Sequence, residues 1–562
     1  MRSHGFVRVR RSACVIVGAL GAAVMAAACG GRDAGAGGGT LIIGSAQDPK
    51  TLYPPHADLS SAIQISELLF QRLADRGPSL NTVGDSGYIP GLATRWDWSR
   101  DSLQITFHID PRARWQDGRA VSAEDVRFAF GVLTEKTTAA RVGADLRTVM
   151  DSISVRDSLT CTAWFRQRSP EQFDLLVTSL TPLPVHLLRD SWRDSLAVEA
   201  FARAPVGNGP FKLVTWEPEV RVEIGPSATY AGPAPKLDRV IWAFAPDAST
   251  LYKQLAAGES DFIEFLPPDD AKSAAKMPGL RLIRLGTYSY NFLQFNLYDG
   301  ASERPHPLFG DRALRRALTM ALDRGLLVRS VFDSLGRVGL GPYVRAQWAA
   351  DTTVAQIPFD RAGAMRLLDS LGWKTGADGI RSRGGRALAF TLVVPTSSAA
   401  RQSYAVLIQE QLRRAGVRAD VQKVDNNAMS ITAKQHAFDA MMAGLGATPS
   451  PSGVKQSWTS AAAHEGGFNY GRYASPAFDA QVDSAAVARG IAGAKAHYRA
   501  AYQIIDDDAP AIWLYEPPNI AGASTRVVTG DVRPDVWWRG IPRWSITPGK
   551  RLPRDAAPAK SP

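Results

Sequence analysis

The chain has 562 residues, and at about 150 residues per domain that length asks for roughly three or four domains and excludes a single small module. Hydrophobic residues at 45% and charged residues at 21% are the proportions of a globular protein and exclude a wholly disordered chain or a multi-span membrane protein. Lys+Arg 65 against Asp+Glu 54 leaves +11, but the excess forms no basic block and no basic stripe interleaved with aromatics, which speaks against nucleic acid as a partner.

From the N-terminus, the basic stretch Val7-Arg8-Val9-Arg10-Arg11 precedes an uncharged apolar stretch over 13–28. It is shorter than the roughly 20 residues of a spanning helix, so it reads as an export signal over 1–28. Ala26-Ala27-Ala28 before Cys29 resembles a bacterial lipoprotein cleavage site, in which the Cys29 thiol takes a lipid and becomes the new N-terminus. Ala26 stands where Leu is usual, and ordinary cleavage with Cys29 as a bystander is the alternative. Residues 29–40, rich in glycine, read as a flexible tether. The expected location is therefore outside the cytoplasm, in the periplasm or at the cell surface, held to a membrane by the lipid. With Cys29 acylated, Cys14 removed and only Cys161 left, no intramolecular disulfide is available and Cys161 reads as a buried small hydrophobe.

The body mixes two periods. Leu103, Ile105, Phe107 and Ile109 alternate with polar residues, as do Val220, Val222 and Ile224, so both segments are predicted as half-buried strands. Val126, Ala129, Phe130 and Leu133 keep helical spacing behind Ser122, a capping-box start. A helix after Asp311 puts Leu314, Leu318, Ala321 and Leu322 on one face and is expected to turn Arg312, Arg315 and Arg316 toward water. Another runs from about Asp360 to Gly372. Tyr404, Leu407, Ile408, Gln411, Leu412 and Ala415 make a further helix ending at Gly416, and the apolar runs 388–394 and 417–424 around it predict a β-α-β unit with a parallel sheet. The fold class is α/β. The Pro-, Lys- and Arg-rich end from 546, and 549–562 in particular, reads as a disordered tail.

From about Gly39 to about Trp544 the sequence resembles the extracellular solute-binding proteins of the peptide/nickel class, family 5, the receptors of ABC importers. The resemblance rests on Tyr88-Ile89-Pro90-Gly91-Leu92-Ala93-Thr94-Arg95-Trp96 and the block from Trp115-Gln116-Asp117-Gly118 to Val126. It continues in Pro205-Val206-Gly207-Asn208-Gly209-Pro210-Phe211, Gly258-Glu259-Ser260-Asp261, the stretch from Asp311 to Arg324, Leu371-Gly372-Trp373, and Phe468-Asn469-Tyr470 with Ser475-Pro476-Ala477-Phe478-Asp479. It implies a two-lobed fold of the periplasmic-binding-protein type II, with an extra subdomain on the first lobe. By carry-over the first lobe takes 41–72, 196–284 and 507–548, the subdomain 73–195 and the second lobe 285–506. The chain would cross between lobes near 285–296 and return near 508–515.

The resemblance also implies a mechanism: a solute captured in the cleft favours the closed form through contacts with both lobes, and a membrane permease recognises that form. Turning a 99:1 open receptor into a closed one takes about 5.5 kcal/mol of preference. Side chains near the crossings that combine apolar area with a polar handle are the candidate lining: Tyr288, Tyr290 and Asn291, then Trp513, Tyr515 and Glu516, with Asn469 and Tyr470 from the second lobe and Asp58 from the first. Each has a plain alternative as core packing or a loop former. Peptide-binding members generally carry Trp near Leu445 and Asp near Thr448, the Asp pairing with the peptide's α-amino group. This chain lacks that carboxylate, so a peptide would need another anchor, Asp58 or Glu516, or the cargo is a different small solute.

An enzyme is the rival class. The sequence has no G-x-x-x-x-G-K-S/T, no H-E-x-x-H and no G-x-S-x-G, and its eight His show no paired metal spacing. The expectation is a monomeric binding protein without catalysis, cofactor or metal ligands, partnered by a solute, permease subunits and a lipid anchor. The same fold serving as a sensory receptor or a chaperone-like lipoprotein is the alternative.

Overall fold

The computed structural model describes residues 38–135, 141–300, 302–464, 466–488 and 490–556. The export signal and Cys29 lie outside them.

The first lobe is built on a seven-stranded sheet with Thr40–Ser45 at its centre, paired in parallel with Arg239–Phe244 on one side and Phe262–Ile263 on the other. A strand enclosed on both faces is read as a continuous apolar run, as Leu41-Ile42-Ile43 is. Arg221–Pro226 and Phe211–Glu217 extend one edge as antiparallel neighbours, and Asn519–Ser524 with Leu280–Leu285 extend the other. An antiparallel sheet, Ala93–Trp98, Gln104–Ile109, Thr160–Phe165 and Met150–Asp157, forms the subdomain with the helix Ala123–Thr134. Its start is the expected capping box, Ser122 with Asp125. One apolar core runs from this sheet into the first lobe, so the subdomain is packed there and not hung on a linker.

The second lobe holds a six-stranded sheet in the order Arg337–Val338, Ala511–Glu516, Ser289–Phe295, Ala440–Gly446, Ala389–Pro395, Arg418–Val424. Ala389–Pro395 and Arg418–Val424 are parallel around the helix Ala399–Arg413, the β-α-β unit read from sequence. Separate cores cover the sheet's two faces.

Several expectations are corrected. Ser289–Phe295 and Ala511–Glu516 pair with each other in the second-lobe sheet, which moves 507–516 out of the first lobe and shrinks the crossings to 286–288 and 517–518. Arg315 does not face water: it is 6% exposed and donates to the carbonyl oxygens of Phe309, Asp508 and Ala509 at 2.6–3.0 Å. Three orphan carbonyls satisfied by one guanidinium outweigh the helical-wheel position. Residues 549–556 are not a free tail. Asp555, 7% exposed, accepts from the Thr40 backbone N–H at 2.8 Å and pairs with Arg526 at 2.7 Å. Gly38, expected in the tether, already donates to the Lys236 carbonyl at 2.6 Å.

Candidate functional site: the interlobe cleft

The direction of the strands locates the cleft. In the first lobe the strands Thr40–Ser45, Arg239–Phe244, Phe262–Ile263 and Leu280–Leu285 all end at the edge from which the chain departs for the second lobe. In the second lobe Ala389–Pro395, Arg418–Val424, Ala440–Gly446 and Ala511–Glu516 end at the edge where Ser289–Phe295 begins. Each lobe therefore presents carboxyl ends of strands to the other, and ligands of open α/β sheets bind outside such ends.

On the second lobe the sequence places Ser398 after a strand end, and its hydroxyl caps the helix Ala399–Arg413 by accepting from the Arg401 N–H. The Arg401 side chain, half-buried at this edge, donates from Nε to Asn291 Oδ1 at 3.0 Å and bonds the Tyr515 hydroxyl. Asn291 and Tyr515 face each other across the paired crossing strands. Burial pushes the Tyr515 hydroxyl up to about 12, with Arg401 opposing that rise, so it stays a neutral phenol. Both partners of Arg401 are thus uncharged, and no carboxylate lies within ion-pair distance of it among the described residues.

On the first lobe a cavity of about 200 Å³ sits at the ends of Thr40–Ser45 and Phe262–Ile263, with Ser45, Gln64, Glu264 and Phe265 in its wall. A second contact between lobes runs through the subdomain. The Glu171 carboxylate accepts from Thr82 Oγ1 at 2.5 Å and, across the lobes, from Ser450 Oγ at 2.6 Å, while Trp348 Nε1 of the second lobe donates to Thr82 Oγ1 at 2.8 Å. Burial pushes the Glu171 carboxyl up, and the Ser450 and Thr82 hydrogen bonds hold it back.

Only Asn291 and Tyr515 of the expected lining residues meet at one seat. Tyr290, one residue from Asn291 on a strand, points to the opposite face: it is 3% exposed, its hydroxyl accepts from Trp458 Nε1 at 3.0 Å, and Trp513 packs in the same core. Asn469 is a brace in the interior, donating to the Thr459 and Tyr473 carbonyls at 3.0 and 2.7 Å. Tyr470 is half-buried and packs against Val393, Phe438 and Met441. Tyr288 lies in the outgoing link, half-buried, and its carbonyl accepts from the Ala447 N–H at 2.7 Å. Glu516 is paired with Arg345 at 2.6 Å beside the returning link, with burial pushing its carboxyl up against the pull of Arg345. Asp58 is exposed in a different groove, of about 640 Å³, whose wall runs from Pro54 and Glu67 to Leu133 and Thr181 and includes no second-lobe residue. Neither carboxylate offered as a substitute ammonium anchor is free in the cleft.

Sequence reasoning missed Arg401. A signal was present: a cation in the first turn of a helix opposes the helix dipole and needs a reason to be there.

The family model "Bacterial extracellular solute-binding proteins, family 5 Middle" matches residues 87–465. The oligopeptide-binding protein AppA of Bacillus subtilis is 27% identical over 86% of this chain and 87% of its own, and protein XP55 of Streptomyces lividans 29% over 86% and 85%. The solved structure of AppA in complex with a nonapeptide aligns with TM-score 0.66 and 25% identity over 91% of this chain and 99% of that one. The ABC transporter substrate-binding protein CtaP of Listeria monocytogenes aligns at 0.75 and 21% over 91% and 100%. With its model matched over most of the chain and its two-lobed architecture present, this protein belongs to the bacterial extracellular solute-binding proteins of family 5.

Proposed function

We propose that this protein captures a small solute bearing an anionic group, seats that group on Arg401, and hands the closed complex to the permease of an ABC importer. The observation that carries the reading is a guanidinium at the cleft edge whose side-chain partners, among the described residues, are the neutral Asn291 and Tyr515. A cation fixed in that manner has N–H groups left over for a carboxylate or phosphate, and the N-terminal turn of its helix adds to the same attraction. The names of the relatives, oligopeptide-binding protein and dipeptide-binding protein among them, favour a carboxylate of the peptide kind. Binding by closure needs no covalent step, so the reading is transport without turnover.

The moving bodies we assign are the first lobe, 41–72, 196–285 and 519–548, with the subdomain 73–195, against the second lobe, 289–516. The Ala28-Cys29 junction supports export followed by lipid anchoring outside the cytoplasm, and among the described residues no helix is long and apolar enough to cross a membrane. Mass spectrometry of the small molecules released when the purified protein is denatured tests the cargo. An acid that Arg401→Gln fails to retain is the expected result; a neutral or cationic cargo, retained equally by the variant, overturns the reading.

A further inference from the structure

We propose that the first-lobe cavity is an ammonium subsite with Glu264 as its anion, so that the cargo is a zwitterion held by one charge on each lobe; this rests on the Arg401 reading above.

Glu264 follows Phe262–Ile263 directly, at the carboxyl end that faces the second lobe. Its carboxylate is held in one orientation by a fixed neighbour. Trp242 Nε1 can only donate, and it donates to Gln64 Oε1 at 3.2 Å, which turns Gln64 Nε2 toward Glu264 Oε2 at 2.7 Å. Gln64 is 3% exposed and Trp242 0%, so this chain of donors is locked by packing. It keeps Glu264 an acceptor, and among the described residues its side-chain partner is this amide, with no cation within ion-pair distance.

Two residues of the wall also carry unmet polar atoms, buried behind its surface. Ser61, 1% exposed, has a hydroxyl without a partner, and Trp537, 2% exposed, has an indole N–H without one. Of the groups in this wall, the Glu264 carboxylate is the one that complements an ammonium. Phe265, 50% exposed at the rim, adds an aromatic surface, which attracts cations. About 200 Å³ admits such a head group and a short side chain. One carboxylate is too few oxygen ligands for a hard metal cation, which takes six or so.

The subsite also accounts for the loop around Thr448. Peptide-binding members of the family this chain resembles carry a second-lobe carboxylate near Thr448 that it lacks; Ser450 of that loop is engaged with Glu171, and the positive end of the cargo falls to the first lobe.

The test is native mass spectrometry of the full chain with three pools of mixed tripeptides: free, N-acetylated and C-amidated. Wild type is expected to bind the free pool and to bind the N-acetylated pool about tenfold or more weakly. Glu264→Gln should lose the same factor on the free pool, leave the N-acetylated pool unchanged, and Glu264→Asp should fall between. Equal binding of free and N-acetylated pools, or indifference of Glu264→Gln, overturns the subsite while the C-amidated pool and Arg401→Gln still judge the anion seat separately. If Glu264→Gln does not fold, the acetylation contrast in wild type and the Glu264→Asp result decide. Retention of none of the pools overturns the zwitterion assignment outright.

Discussion

Gly444 lies opposite Asn291 in the second-lobe sheet, and a Cβ there would stand 2.6 Å from Asn291 Oδ1 and closer still to Arg401 Nη2. The absence of a side chain is what lets the guanidinium reach its acceptor. Gly444→Ala is expected to push Arg401 out of its seat and weaken solute binding about tenfold or more in titration calorimetry, because a charged hydrogen bond is worth roughly 1.5–3 kcal/mol. The long arginine side chain can swing away, so thermal stability should change little. A different residue sets a pH response. Burial raises the Asp506 carboxyl from the ordinary 3.8 to about 6, against the pull of Arg324. The folded state then binds the proton more tightly than the unfolded chain, so the stability this group contributes is fully present below pH about 4 and is lost as the pH climbs through 6, by on the order of 3 kcal/mol. Asp506→Asn should flatten that slope in urea titrations run from pH 4 to 7. That Asn291 and Tyr515 lie close together beside the links was legible, because the strands that carry them were read as adjoining the lobe junction. Tyr290 and Trp513 were not separable from them until strand pairing fixed which face each side chain takes, since adjacent residues on a strand point in opposite directions.

Among elements, those with strong local signals were readable: the Ser122 capping box, the alternating strands Gln104–Ile109 and Arg221–Pro226, and the β-α-β unit closed by Gly416. What escaped were partnerships between distant segments. Nothing in the neighbourhood of Glu171 announces that its carboxylate reaches Ser450, 279 residues away, and the burial of Arg315 depends on carbonyls at 508 and 509. The Glu171 bridge ties the subdomain to the second lobe. Ser450→Ala is expected to widen the ligand-saturated particle in solution scattering and to raise the apparent Kd a few-fold, since the two bodies lose one hydrogen bond between them. An unchanged radius and affinity would show that the bridge carries no weight in closure.

The first and last described segments are clasped together. Arg526, 5% exposed, holds Asp261 at 2.6 Å and Asp555 at 2.7 Å, and Asp555 in turn accepts from Thr40, the first residue of the central strand. Asp555→Ala leaves that buried cation short of a partner and is expected to cost about 3–5 kcal/mol in chemical denaturation. Among the described residues the chain passes from one main sheet to the other at 286–288 and 517–518. The first starts at Gly286, where a Cβ would lie 2.5 Å from Pro534, and the second is Pro517-Pro518. Two short links side by side act as a pair of door pins: they permit rotation about the line joining them and resist twist or slide, and proline, with its fixed φ, stiffens one of the two. The gap should therefore have a single degree of freedom. Fluorescent labels placed at several positions along the two jaws would report distances that all vary together along one arc, with partial ligands stopping the swing at points on that same arc.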